Sequence, residues 1–229
     1  MCLFAAMLWL AADELSGHAY SSPLIPYWNA FVRLGYFASV AYLASRLREE
    51  QATQSKLARA DSLTCLPNRR AFLEVADRES RRSRRLKLPL TLAYVDLDNF
   101  KMVNDKYGHN IGDELLRVVG HALRSGVRVS DTVARIGGDE FAILLPDTNQ
   151  SGAEVLLEGL RGSLLKAMRA KDWPVTFSIG SITFPGGASI EEMIRRADAL
   201  MYEVKKGGKG SINFDLTSGD SFRQGTQTV

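Results

Sequence analysis

The run Arg135-Ile136-Gly137-Gly138-Asp139-Glu140-Phe141-Ala142-Ile143-Leu144-Leu145 restricts what this chain can become more than any other stretch. Apolar residues alternate up to a Gly-Gly pair, two carboxylates follow, and a second apolar run begins. Period-two runs flanking glycine and aspartate predict a β-hairpin with two acids at its tip. Glycine carries no side chain, so the backbone there can approach a ligand closely. Alone, the pattern fits a plain surface turn equally well.

A second stretch decides between these readings. Leu90-Thr91-Leu92-Ala93-Tyr94-Val95 is a buried-strand pattern running straight into Asp96-Leu97-Asp98-Asn99-Phe100-Lys101. Acids ending a buried strand beside acids on a hairpin tip form a nest for a hard divalent cation. Such a nest suits phosphoryl or nucleotidyl transfer, where metal ions clamp the attacking and leaving oxygens of an in-line displacement.

With these residues in view, the chain resembles the GGDEF family of diguanylate cyclases. Gly137-Gly138-Asp139-Glu140-Phe141 spells the family signature. Asp61-Ser62-Leu63-Thr64-Cys65-Leu66-Pro67-Asn68-Arg69-Arg70 is similar to the family's opening motif. Asp96 to Asp105, with Gly108-His109 and Gly112-Asp113, resembles its second block. The ordered motifs cover roughly residues 61–215.

Length and composition are consistent with one well-cored domain and an appendage: 229 residues, 45% apolar, net charge +3. The charge is too small to argue for nucleic acid. Arg78, Arg81, Arg82, Arg84, Arg85 and Lys87 crowd one stretch without interleaved aromatics, which reads as the solvated face and C-terminal end of a helix. Cys2 and Cys65 give neither a metal-ligand spacing nor a disulfide framework, and the three histidines suggest no zinc site.

Residues 1–45 differ in kind. Met1 to Ala12 is apolar but shorter than the roughly 20 residues that span a bilayer, and it has no basic lead-in of a signal peptide. A second apolar stretch, Trp28 to Leu43, is interrupted by Arg33, which at mid-membrane costs about 2.5–3.5 kcal/mol. Arg46, Arg48, Lys56 and Arg59 follow, which the positive-inside rule assigns to the cytoplasm. The expectation is membrane-associated helices over 1–45, with packing on a soluble domain or partner as the competing reading. Residues 46–60 predict a signalling or linker helix. Leu43, Leu47, Glu50, Gln54, Leu57 and Asp61 fall on heptad-like spacing, but only half are apolar, so a coiled coil and a solvated helix both remain open. Residues 61–216 form the predicted cyclase domain, and the polar 217–229 a disordered tail.

Within the domain the pattern predicts helix, strand, helix, helix, hairpin, helix, strand, helix and a last short strand, an α+β order with helices over a mostly antiparallel sheet. The resemblance implies a ferredoxin-like palm shared with nucleotidyl cyclases and polymerases. It also implies the activity: condensation of two GTP into cyclic di-GMP with release of two pyrophosphates. By the same resemblance Asp96, Asp139 and the Leu97 carbonyl hold Mg²⁺, or Mn²⁺ in its place. Glu140 is either a further ligand or an aid to deprotonating the ribose 3′-OH, and Gly137 and Gly138 admit the nucleotide. Asn104 and Asp113 match the guanine-reading positions, with Leu116 against the base; Asp113 also reads as a helix cap. Phosphate contacts fall to Lys101, Lys205 and Lys209 and to backbone N–H groups around Asn99 and Phe100.

Two departures from the family pattern stand out. Lys209-Gly210 replaces the usual Arg-Asn pair, which keeps the charge and loses the bidentate fork. Cys65 replaces a usual glycine, where a small residue is expected to do little damage. Arg128-Val129-Ser130-Asp131 occupies the spacing of the family's product-inhibition site. Two GTP must face each other, so the resemblance implies a homodimer of C2 symmetry. The apolar segments and the basic residues after them give the expected location, the inner membrane with the catalytic domain in the cytoplasm. The alternative is a catalytically silent receptor for cyclic di-GMP or GTP.

Overall fold

The computed structural model describes residues 24–216. Contacts divide the chain into two compact units, with the boundary between Ala58 and Arg59. In the first unit one helix, α1 (Ile25–Leu57), runs for 33 residues. It joins the second apolar stretch to the expected linker helix without a break, because no proline interrupts the run after Pro26. Tyr27, Trp28, Phe31 and Tyr36 are all exposed on it.

No helix of the described residues is long and apolar enough to cross a membrane. The expectation of membrane helices over 1–45 therefore gains no support from α1. Asn29, Arg33 and Ser39 dilute its apolar half, and its second half is charged. Met1 to Ala12, the tail 217–229 and the side chains at heptad positions Glu50, Gln54 and Leu57 lie outside the described residues.

In the second unit, α2 (Arg69–Leu86) starts at Asn68, whose side chain accepts from the Ala71 N–H at 3.0 Å. It ends at Lys87 in the left-handed conformation, two residues before Pro89. Then come β1 (Leu90–Asp98), α3 (Phe100–Tyr107), α4 (His109–Ser125), β2 (Thr132–Arg135), β3 (Glu140–Pro146), α5 (Gln150–Arg169), β4 (Thr176–Phe184), α6 (Ile190–Lys206) and β5 (Ile212–Leu216).

The five strands form one sheet in the order β2-β3-β1-β4-β5, antiparallel except for the β4–β5 pair. All nine residues of β1 are buried, because helices cover both faces. Ala93, Val95 and Leu97 pack with Leu115, Val119 and Leu157 of α4 and α5. Leu90, Leu92 and Tyr94 pack on the other face with Phe72 of α2 and Met193, Ala197 and Met201 of α6. The four strands β2-β3-β1-β4 with α4 and α5 on one face make the ferredoxin-like arrangement; α2, α6 and β5 are added to it. A fully buried Phe141 or Phe177 is worth about 3–5 kcal/mol against alanine.

The period of two has a consequence for chemistry. Asp96 and Asp98 share the face of Leu92 and Tyr94, and so point toward α6. That helix lies close on the sheet: a Cβ on Gly180 of β4 would come within 2.3 Å of the Ala197 carbonyl and the Met201 nitrogen. Only glycine permits this approach, which brings the end of α6 over the end of β1.

Candidate active site

At that end of the sheet an open cleft of about 840 Å³ is lined by the acids Asp96, Asp98, Asp139 and Glu140, the lysines Lys101, Lys205 and Lys209, and the start of α3 at Asn99 and Phe100. Asp96 and Glu140 are direct cross-strand partners in the β1–β3 register, which sets their side chains on one face. Asp139 belongs to the four-residue tip between β2 and β3. Its carbonyl accepts from the Leu97 N–H at 3.2 Å, tying the tip to the central strand.

The tip is also braced from outside. The Arg135 guanidinium donates to the Gly138 carbonyl at 2.7 Å and to Asp61 at 3.1 Å. Asp61 in turn accepts from the Thr64 N–H and hydroxyl. Burial opposes the Asp61 charge, but those Thr64 bonds and the Arg135 guanidinium hold its carboxyl below the ordinary value. The opening motif thus fixes the signature tip. Neither Gly137 nor Gly138 adopts a positive φ; Gly137 instead leaves room for the Glu140 carboxylate, which would sit 3.0 Å from a Cβ there. Cys65 does have a positive φ, 58°. A glycine there would adopt this φ without strain, and cysteine costs about 1–2 kcal/mol by comparison. To the expectation that a small residue here does little damage, the positive φ adds a backbone cost.

The electrostatics of the cleft centre on Lys205, whose amine lies 2.7 Å from Asp96 Oδ2. Burial pushes the Asp96 carboxyl up; Lys205 pulls it back, and the charges of Asp139 and Asp98 add to the rise. The ion pair does not cancel burial and like charge, so the net direction is upward. Glu140 is also raised, first by burial and then by the Asp96 charge. Burial works against the Lys205 charge, yet the Asp96 hydrogen bond and the surrounding carboxylates outweigh it and raise the amine. The cleft therefore holds more negative charge than one lysine neutralises. Among the described residues no three His, Cys, Asp or Glu side chains converge as a metal nest. The donors present are hard carboxylate oxygens with the Leu97 backbone beside them, the chemistry that suits Mg²⁺.

The other expected residues fall into three places. Lys101, Lys205, Lys209 and Phe100 line the cleft. Asn104 on α3 lies against Gly112 of α4, so close that a Cβ there would meet Asn104 Oδ1 at 1.9 Å. This buried oxygen has no hydrogen-bond partner. Asp113, the next residue, is not a cap: α4 begins four residues earlier, at His109, after the Gly108 cap. Leu116 is buried in the core, 2% exposed. Arg128 and Asp131 are not among the residues that line the cleft. Asp131 is buried and its Oδ2 accepts from the Arg128 N–H at 2.9 Å; the Arg128 residue is exposed. Met102, Asp105 and Lys106 also line the cleft, and Asp98 is its most thoroughly bonded carboxylate. Its place two residues after Asp96 on one strand face was the available signal.

The model of the family described as diguanylate cyclase, GGDEF domain, matches residues 58–211. The chain belongs to the GGDEF domain family. Two Pseudomonas aeruginosa relatives show how varied the proteins carrying such a domain are. The diguanylate cyclase DgcP is 37% identical over 162 residues, 69% of this chain and 24% of DgcP. The cyclic di-GMP phosphodiesterase NbdA is 35% identical over 185 residues, 80% of this chain and 24% of NbdA. The chain thus spans about a quarter of each. Among solved structures, the coiled coil and GGDEF domain of DgcB from Caulobacter crescentus, in complex with c-di-GMP, matches with a TM-score of 0.63 at 28% identity. That match covers 79% of this chain and 98% of DgcB's.

Proposed function

We propose that this GGDEF domain is an active diguanylate cyclase, with the receptor reading second. The observation that carries the proposal is the facing pair Asp96 and Glu140 beside the Asp139 tip, in a cleft rimmed by Lys101, Lys205 and Lys209. In the reaction the 3′-oxygen of each GTP bonds to the α-phosphorus of the other, the bond to pyrophosphate breaks, and the hydroxyl proton passes to a base. Glu140, raised by burial and by Asp96, is closer to the pKa a general base needs than an ordinary glutamate. The lysines neutralise the triphosphate and the departing pyrophosphate.

Asp96, Asp139 and the Leu97 carbonyl are the groups that would hold Mg²⁺, or Mn²⁺. When bound, the metal neutralises charge on the α-phosphate and on the attacking and leaving oxygens. The buried, unpartnered Asn104 Oδ1 is an acceptor whose desolvation a guanine N–H would offset. The Asp113 carboxylate, next to Gly112, accepts from the same edge of the base.

One cleft holds one GTP, so the active species in this reading is a homodimer. Arg128 and Asp131 bind the product and inhibit the enzyme. Residues 1–45 attach the chain to the inner membrane with the catalytic domain in the cytoplasm, the apolar sequence of Met1 to Ala12 and Trp28 to Leu43 and the basic residues after it being the support for it. Partition of the full chain into the soluble fraction without detergent would overturn the attachment.

The test incubates residues 51–229 with GTP and Mg²⁺ beside an Asp139→Ala control and identifies products by mass. Cyclic di-GMP from the unsubstituted protein alone is the expected result. A forced dimer that binds cyclic di-GMP without making it would move the function to the receptor reading.

A further inference from the structure

The loop between α6 and β5 carries Lys209 through an unusual backbone path. Three successive residues have positive φ: Gly208 at 121°, Lys209 at 65° and Gly210 at 68°. A lysine does not enter the left-handed region without something holding it there. Part of the hold is local, the Lys209 N–H donating to the Val204 carbonyl at the end of α6 at 3.1 Å.

The rest comes from two side chains that grip Gly210 from opposite directions. Asp98, only 2% exposed, accepts from the Gly210 N–H at 3.0 Å. The same carboxylate accepts from the Thr176 hydroxyl at 2.7 Å and the Ser178 hydroxyl at 2.8 Å, so β4 fixes its orientation. From α5, Arg161 donates through Nη1 to the Gly210 carbonyl at 2.8 Å. Its Nε and Nη2 both face Glu158 Oε2, at 3.2 and 3.1 Å, which aims the remaining nitrogen at the loop. With the loop held so, the Lys209 amine lies 3.3 Å from Asn99 Oδ1, on the cleft wall.

We propose that Asp98 and Arg161 are positioning residues: together they clamp Gly210 and thereby set the Lys209 amine against the phosphates of the bound nucleotide. The inference rests on the reading of the cleft as a GTP site. It also accounts for the Lys209-Gly210 departure. An arginine brings its own planar fork to a phosphate, whereas a lysine is a point charge on a flexible stem. A lysine in that place depends more on how its backbone is held, and glycine at 210 accepts the positive φ that the two grips require.

Equilibrium binding of GTP to the full chain tests the clamp, using Lys209→Ala, Arg161→Met, Arg161→Lys, the double variant of Arg161→Met with Lys209→Ala, and Asp98→Asn. Loss of one charged phosphate contact is expected to weaken binding about tenfold in Lys209→Ala. Arg161→Met is expected to weaken it several-fold, with Arg161→Lys in between. Because Arg161 acts through Lys209, the double variant should bind no more weakly than Lys209→Ala alone. Arg161 is partly exposed, so its variants keep the thermal midpoint and remain informative even if Asp98→Asn is too unstable to assay. Arg161→Met binding like wild type while Lys209→Ala is weakened would overturn the clamp and leave the GTP reading standing, as would effects that multiply in the double variant. A wild-type chain that binds no GTP would overturn the functional reading and the clamp with it.

Discussion

Two carboxylates end β1 on the same face, two residues apart, and their surroundings differ in one decisive respect. Around Asp98 every polar need is met: two hydroxyls from β4 and one backbone N–H from the α6–β5 loop reach the same side chain. Around Asp96 the one partner among the described residues is the Lys205 amine, while Asp139 and Asp98 crowd it with like charge and Glu140 faces it across the strands. The first arrangement spends its charge inside the protein and so builds structure. The second leaves negative charge unspent and open to the cleft, which is what a cation needs. Sequence identity and burial alone would have assigned the two aspartates one role; their partners assign two.

Four substitutions press on this contrast. Asp96→Asn is expected to lower cyclase activity by more than about 10²-fold, the scale on which removing one preorganised charge-stabilising group acts. The thermal midpoint should barely move. A large drop in stability with activity retained would reverse the assignment. Asp98→Asn is expected to destabilise the domain by about 2 kcal/mol, since an amide oxygen is a weaker acceptor and its NH₂ opposes a donor. Denaturant unfolding measures this. Ser178→Ala removes one of the three bonds and should cost about 1 kcal/mol on the same scale; no change would mean that the Thr176 hydroxyl and the loop hold Asp98 without it.

The smallest effect concerns pH. Asp96 and Glu140 lie above their ordinary values of 3.8 and 4.5 in the folded state, so folding favours their protonated forms. The stability linked to them is fully present below those ordinary values and is lost as pH rises through the folded-state values. Glu140→Gln stays neutral throughout. In chelator at pH 7 it should therefore gain stability, by no more than about 1 kcal/mol because solvent screens the open cleft. The gain should vanish below about pH 4. A loss at pH 7 would show that the Glu140 charge is structural, and the contrast between the two sites would narrow.

The parts of the fold legible in the sequence were those written in short-range periodicity. Leu90 to Val95 announced a buried strand, and the Gly-Gly tip announced a hairpin, because both patterns are fixed by neighbours two residues apart. The boundary of α1 was less legible: composition changes near Arg46, but helix propensity does not, and the chain continues in one helix from Ile25 to Leu57. Asp113 looked like a cap because the helical apolar pattern reads from Glu114 onward, yet α4 starts at His109 directly after Gly108, whose φ of 86° ends α3. Cys65 illustrates a limit of another kind, since a side chain's identity does not reveal the φ it must adopt. Arg161 carried no signal at all. Its partner is a backbone carbonyl 49 residues away, and backbone atoms are the same at every position.

The ladder that seats Asp96 and the loop that seats Lys209 are separated along the chain, and the bond joining them spans 112 residues. Closing a contact of that range costs more loop entropy than closing a local one. A nascent or proteolysed chain that ends before α6 would keep Asp96, Asp139 and Glu140 and still lack both Lys205 and Lys209. Such fragments would keep only Lys101 of the three lysines that rim the cleft. The end of α6 and the loop after it thus supply two of the three lysines that rim the cleft.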